Sequence, residues 1–116
     1  MTSFSVVILN WNGLTHLQEC LQSVHETNYL SMEIILADNG STDESLAWVK
    51  QHFPDISILE LKKNYFFAGG NNRAVKHCKN DYVIFLNNDV KVDPMWLHSL
   101  HTCIVTNPKS QLFQPK

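Results

Sequence analysis

The sequence predicts an α/β domain, with a mostly parallel sheet and helices on both of its faces. Three observations predict it. Short apolar runs alternate, four times over, with longer segments whose apolar residues recur at helical spacing. The fourth apolar run carries no polar residue, as expected of a strand covered on both faces. The turn-forming Asn, Asp and Gly residues cluster just after the apolar runs, where the carboxyl ends of parallel strands would meet.

Each element has its own signal. Phe4 to Leu9 reads as the first strand, and Leu14, Leu17, Leu21 and Val24 then mark a helix. Ile34 to Ala37 is the second strand. Ser41 and Glu44 have capping-box spacing ahead of a helix carrying Leu46, Val49 and Phe53. Ile56, Ile58, Leu59 and Leu61 mark the third strand. A Gly-Asn loop at Gly69 to Asn72 then leads into a short helix ending near Cys78. Tyr82 to Leu86 is the fourth strand. Asp93 before Pro94 places a cap residue ahead of proline at the first helical position, and Leu97, Leu100 and Ile104 form that helix's buried stripe. Gln111 to Lys116 begins to look extended, which suggests a new strand and a truncated domain.

Composition excludes several classes. With 116 residues, 44% of them apolar and 17% charged, the chain fits one small globular domain. A formal charge of -2 leaves no electrostatic footprint for nucleic acid. Cys20, Cys78 and Cys103 are odd in number and widely spaced, so they do not read as a disulfide framework; a reducing, cytoplasmic setting is expected. No stretch approaches the roughly 20 apolar residues of a membrane span. Peripheral attachment at the inner face of the membrane stays compatible with this pattern.

The chemistry gathers at the strand ends. The first strand runs into Asn10-Trp11-Asn12-Gly13, the second into Asp38-Asn39-Gly40-Ser41, and the fourth into Asn87-Asn88-Asp89. The third is followed by Asn64 and then Gly69, Gly70, Asn71, Asn72 and Arg73. One such segment is an ordinary turn; four on one edge describe a pocket. The chain has neither G-x-G-x-x-G after its first strand nor G-x-x-x-x-G-K-[ST], which disfavours a dinucleotide oxidoreductase and a P-loop enzyme. A diphosphate would then need another counter-charge. Asp89 is positioned to hold Mg or Mn, whose shell water and substrate phosphates would complete.

Four stretches resemble the family 2 glycosyltransferases, which have the Rossmann-like GT-A fold, and in particular the rhamnosyltransferase-like branch that builds bacterial surface polysaccharides. They are SVVILNWNG, EIILADNGSTDES, NYFFAGGNNRA and YVIFLNNDV, which cover nearly the whole chain in order. The resemblance implies that Asn10 and Asn12 line a nucleoside pocket and that Asp38, with Asn39 beside it, hydrogen-bonds the base. It implies that Gly69, Gly70, Asn71 and Asn72 close over the nucleotide, with Arg73 a diphosphate contact. Asn87-Asn88-Asp89 matches the family's D-x-D motif, with Asp89 as metal ligand and Asn87 in place of the first Asp. The implied partners are a UDP- or dTDP-linked sugar and a glycan or lipid-linked acceptor. The catalytic base of inverting members has no counterpart before Lys116 and is expected beyond it. Self-association as a homo-oligomer is a further expectation.

Two other readings stand beside this one. A non-catalytic nucleotide-sugar binding module would need the same pocket and no base. A signalling receiver or phosphotransferase would place an acidic pair where this chain has Asn10 and Asn12. Among the remaining residues, His98, His101 and Cys103 lack a zinc-type spacing and read as structural or solvated. Trp48 and Trp96 read as packing residues, Trp11 as pocket edge or packing, and Tyr65-Phe66-Phe67 as either an aromatic lid or core.

Overall fold

The structure, a computed structural model, describes residues 2–106. Four strands alternate with four helices: β1 (Phe4–Asn10), α1 (Leu14–His25), β2 (Met32–Asp38), α2 (Ser45–His52), β3 (Ser57–Glu60), α3 (Phe66–Val75), β4 (Tyr82–Asn87) and α4 (Trp96–Thr106). The strands form one parallel sheet in the order β3-β2-β1-β4. The chain winds outward from β1 to β3, then crosses back through α3 to place β4 on the other side of β1. Strand order therefore reverses between β1 and β4, the position at which open α/β sheets bind ligands. The strand expected over Gln111 to Lys116 lies outside the described residues.

Alternation along the strands divides the core in two. Phe4, Val6 and Ile8 of β1, with Leu36, Ile84 and Leu86, pack against Leu17, Leu21 and Val24 of α1, Val49 of α2 and Leu97 and Ile104 of α4. Burying each such aliphatic side chain contributes roughly 1.5–3 kcal/mol before the entropy of ordering it. Val7, Ile35 and Ala37 face the other way and meet Ala74 of α3, with Leu9, Leu59, Leu61, Cys78 and Val83 around them. Helices thus cover both faces, three on one and one on the other.

The last expected cap forms: Asp93 Oδ1 accepts from the Met95 amide at 2.8 Å. Trp96 packs against the larger core and donates its ring N–H to Thr27 at 2.9 Å. Trp48 packs there too, and His101 pairs with Thr2 beside the Tyr29 ring.

Three expectations need correction. The Gly-Asn loop is helical: α3 begins at Phe66 and contains Gly69 to Asn72. Two glycines oppose helix formation by propensity, but packing overrides it here. A Cβ on Gly70 would lie 2.6 Å from Leu9 Cδ1 and 3.0 Å from Asn39 Nδ2, so glycine lets this helix sit close on the sheet. Next, the capping box does not form. The first turn of α2 starts at Ser45, whose amide is taken by Asp43, while Ser41 is drawn to Asp38. Finally, β4 is not covered on both faces by the described residues. Phe85, on the face that α3 packs against, is 40% exposed, because α3 crosses over β1 and β2 and leaves this edge strand open.

Candidate functional site

The strand ends are tied together by a buried polar chain. Asn10, at the end of β1 and 0% exposed, donates from Nδ2 to Asp38 Oδ1 at 3.0 Å and to Ser41 Oγ at 3.2 Å. The carboxylate can only accept, so the Asn10 carbonyl must face the other way. It takes the Asn88 amide at 3.0 Å. Three neighbouring strands are thereby linked, β2 to β1 to the end of β4. Asp38, 1% exposed, also accepts from Ser41 Oγ at 2.7 Å on Oδ1 and from the Ser41 amide at 2.8 Å on Oδ2.

Asn12 works sideways. Its backbone is left-handed, at φ 49°. Its carbonyl accepts the amides of Thr42 and Asp43 at 2.7 and 3.1 Å, and its own amide donates to Ser41 Oγ. Asp43 answers by accepting from the Leu14 amide, an open donor of the first turn of α1. Burial alone would raise the Asp43 pKa. Hydrogen bonds from the Ser45 hydroxyl and amide and from Leu14 outweigh it and hold the carboxyl below its usual value.

Above this layer lies a cleft of about 350 Å³, lined by Leu9, Trp11, Asn39, Asn64, Phe66, Phe67, Asn87, Asn88 and Asp89. It sits at the β1/β4 reversal. Trp11, Phe66 and Phe67 are 53%, 76% and 56% exposed, so three large aromatic side chains border the cleft without being packed away. The segment before α3 is held tightly. Asn39 accepts the Tyr65 amide at 3.3 Å and donates to the Phe66 carbonyl at 3.0 Å, while Asn64 Oδ1 accepts the Phe66 amide at 2.8 Å. Phe66 is left-handed, at φ 61°, a conformation that costs a bulky residue on the order of 1–2 kcal/mol.

Of the expected site residues, Asn39, Asn87, Asn88 and Asp89 line the cleft. Asn10 and Asp38 lie beneath it, and Asn12 ties its neighbouring loops. Gly69, Asn71, Asn72 and Arg73 sit in α3, outside the lining. Arg73 is committed locally: its guanidinium stacks 3.5 Å from the Tyr65 ring centre and donates to the Gly69 carbonyl at 3.1 Å. Asn71 is buried and its side-chain oxygen has no hydrogen-bond partner, so α3 keeps one unused acceptor. Leu9 was not expected at the site, Asn64 was singled out only by its place after the third strand, and the sequence leaves the roles of Trp11, Phe66 and Phe67 open. Their signal is faint: two aromatics one residue ahead of a glycine pair, and a tryptophan between two asparagines.

No group of three or more His, Cys, Asp or Glu side chains could hold a metal among the described residues. The oxygen donors Asp89, Asn87 and Asn88 are nonetheless the hard type that Mg and Mn prefer. With one exposed carboxylate among them, they fit a cation that arrives with its own phosphate and water ligands.

The sequence profile of Glycosyl transferase family 2 matches residues 5–113. The chain belongs to that family. A relative from Escherichia coli, the UDP-Glc:alpha-D-GlcNAc-diphosphoundecaprenol beta-1,3-glucosyltransferase WfaP, is 31% identical over 77% of this chain and 36% of its own length. Across the curated family relatives it matches, the chain spans between 13% and 36% of their length. Among solved structures, residues 1–349 of S. aureus TarS in complex with UDP-GlcNAc superpose with a TM-score of 0.83 at 20% identity. They cover 97% of this chain and 37% of that one. The mannosyltransferase PcManGT of Pyrobaculum calidifontis, in complex with GDP-Man and Mn2+, gives a TM-score of 0.77 at 21% identity, covering 87% and 32%. These likenesses establish the GT-A fold for the family member described here.

Proposed function

We propose that this chain is the donor-binding part of an inverting, metal-assisted glycosyltransferase. It would pass a sugar from a UDP- or dTDP-linked donor to a glycan or lipid-linked acceptor in surface polysaccharide synthesis, as in the rhamnosyltransferase-like branch. One observation carries this reading. Three exposed aromatics and the Asn87-Asn88-Asp89 oxygens share one cleft, at the strand-order reversal. Support also comes from the E. coli relative, named for its UDP-Glc donor, and from the two structures bound to nucleotide sugars.

In the proposed mechanism Asp89 would hold a divalent cation at the diphosphate end of the donor, with Asn87 beside it on the nucleotide. That cation supplies Lewis-acid stabilisation of the leaving diphosphate without a proton. Asp38 Oδ2 takes a single hydrogen bond and keeps capacity to accept a ring N–H of uracil or thymine. Trp11, Phe66 and Phe67 cover flat faces of the donor and exclude water. Asp89 is the only carboxylate among the described residues lining the cleft, so the base that activates the acceptor hydroxyl is assigned outside them. A nucleotide-sugar donor is a cytoplasmic metabolite, and a lipid-linked acceptor would bring the protein to the inner face of the membrane. No helix among the described residues is long and apolar enough to cross it.

Calorimetry with UDP, dTDP and GDP, each with and without Mg or Mn, tests this reading. The expected result is metal-dependent binding of UDP or dTDP, with the dependence removed by Asp89→Ala. Equal binding without metal would take Asp89 out of its role. Binding without sugar transfer by the whole protein would favour a non-catalytic module.

A further inference from the structure

We propose that Asn39 is a positioning residue: it sets the aromatic rim of the cleft by clamping the backbone of Tyr65 and Phe66, and the ligand meets Phe66 and Phe67 rather than the Asn39 amide. What the rim touches rests on the donor-site reading above; the clamp itself stands on geometry alone. Asn39 is 2% exposed, and both heteroatoms of its amide are used, one accepting from Tyr65 and one donating to Phe66. The amide reaches across 26 and 27 positions of sequence, from the end of β2 to the start of α3. Gly70 makes room for it, since a Cβ there would come within 3.0 and 3.1 Å of both amide atoms.

The clamp has something to hold. Phe66 combines a left-handed backbone with a side chain that is 76% exposed, so its strain is not offset by burial of its own ring. Fixed bonds from neighbours must offset it, and Asn39 supplies two atoms of that restraint. Asn64 adds a third bond from within the segment. The Tyr65 ring is pinned from the far side by Arg73. Release of the amide would free Phe66 to return to an ordinary backbone angle and carry its ring, with that of Phe67, off the cleft.

A carboxyl group tests the clamp because its protonated form copies the amide: one oxygen accepts, the other donates. The ionised form can only accept and would repel the Phe66 carbonyl. Amide hydrogen exchange of the ligand-free protein, with β1 amides as internal reference, should show Tyr65 and its neighbours about 10-fold less protected in Asn39→Asp at neutral pH. Protection should return as pH falls through the pKa of the introduced carboxyl. Asn39→Ala should lose Tyr65 protection at every pH, because the acceptor of that amide is gone; adding Phe66→Gly should restore protection only of the position-66 amide, which Asn64 Oδ1 still accepts, because glycine takes φ 61° without strain. The unsubstituted protein, measured over the same range, accounts for the other charged groups on the surrounding elements, Asp38, Asp43, Asp89, Lys63 and Arg73. Unchanged protection in Asn39→Ala, or loss in Asn39→Asp without recovery in acid, overturns the clamp. Should Asn39→Ala fail to fold, the acid recovery of Asn39→Asp still decides.

UDP with Mn2+, titrated into the variants that keep Phe66, reads the rim. Affinity that follows protection supports positioning, and full affinity in unclamped variants overturns it. Failure of UDP to bind the unsubstituted protein would overturn the donor reading, while exchange still judges the clamp.

Discussion

At the amino-terminal ends of the strands, Ser5 is buried and donates to the Glu33 carboxylate, which also accepts the Lys79 amide. Ser5 accepts the Asn80 amide at 3.2 Å, and the Asn80 side chain donates to the Phe4 carbonyl at 2.9 Å. At the carboxyl-terminal ends, Asn10, Asp38 and Ser41 form a network of similar size. Two hollows at the first edge are larger than the cleft, about 510 and 540 Å³ against about 350 Å³. Size and polarity therefore do not separate the two ends. What separates them is where the polar groups lead. The amino-terminal network closes on backbone groups and uses itself up. The carboxyl-terminal network is a buried foundation carrying a second, outward layer, Asn87, Asn88 and Asp89 beside exposed aromatics.

The strongest way to break that contrast is Gly13→Ala. The new Cβ would lie 2.0 Å from Asn88 Nδ2 and 2.8 Å from Asn10 Oδ1, so the Asn10–Asn88 bond could not survive. A loss of about 3 kcal/mol in urea unfolding is expected, from overpacking plus a stranded buried carbonyl, together with loss of nucleotide binding. Ser5→Ala should cost less, about 1–2 kcal/mol, by removing one buried hydroxyl, and should leave nucleotide binding unchanged. A parallel loss of binding would erase the distinction between the two ends. Asp89→Ala should shift stability by no more than about 0.5 kcal/mol, as for an exposed residue without structural partners, while removing metal dependence.

The smallest effect concerns acid. Asp43 has a depressed carboxyl pKa, so the stability it contributes is fully present above the unfolded value of about 3.9. It is lost as pH falls through the lower, folded value. The stability difference between the protein and Asp43→Asn should accordingly shrink only at the acid end of a pH series of urea melts. A difference independent of pH would mean that Asp43 acts through shape rather than charge.

Much of this was legible in the residues. Alternating apolar runs located all four strands, and the Asp93-Pro94 pair located the last helix, because local propensity and tertiary packing agree there. They disagree at Gly69 to Asn72. Glycine and asparagine argue for a loop, yet a helix forms because only glycine lets α3 approach Leu9 and Asn39. Ser41 misled for a similar reason: its spacing to Glu44 suits a local cap, but the Asp38 carboxylate is a stronger partner. The membership of Asn87, Asn88 and Asp89 in the cleft followed from their place at the carboxyl end of β4. The clamp from Asn39 to Phe66 could not be read, since nothing in either segment records a contact formed across the sheet top. Arg73 shows the converse limit, a cation that suits phosphate in sequence and is occupied by Tyr65 in space.

The central position of β1 also governs when the cleft can come into being. Its pairing with β2 joins Asn10 to Asp38 across 28 positions, whereas the bond to Asn88 spans 78. During synthesis the first half of the rim can settle long before its counterpart exists. Everything lining the cleft except Leu9, Trp11, Asn39 and the Asn64–Phe67 segment arrives with β4, the late and slow closure of a long loop. A ligand gripped between the two halves would bind only chains that had completed that closure, and would report correct assembly as well as chemistry.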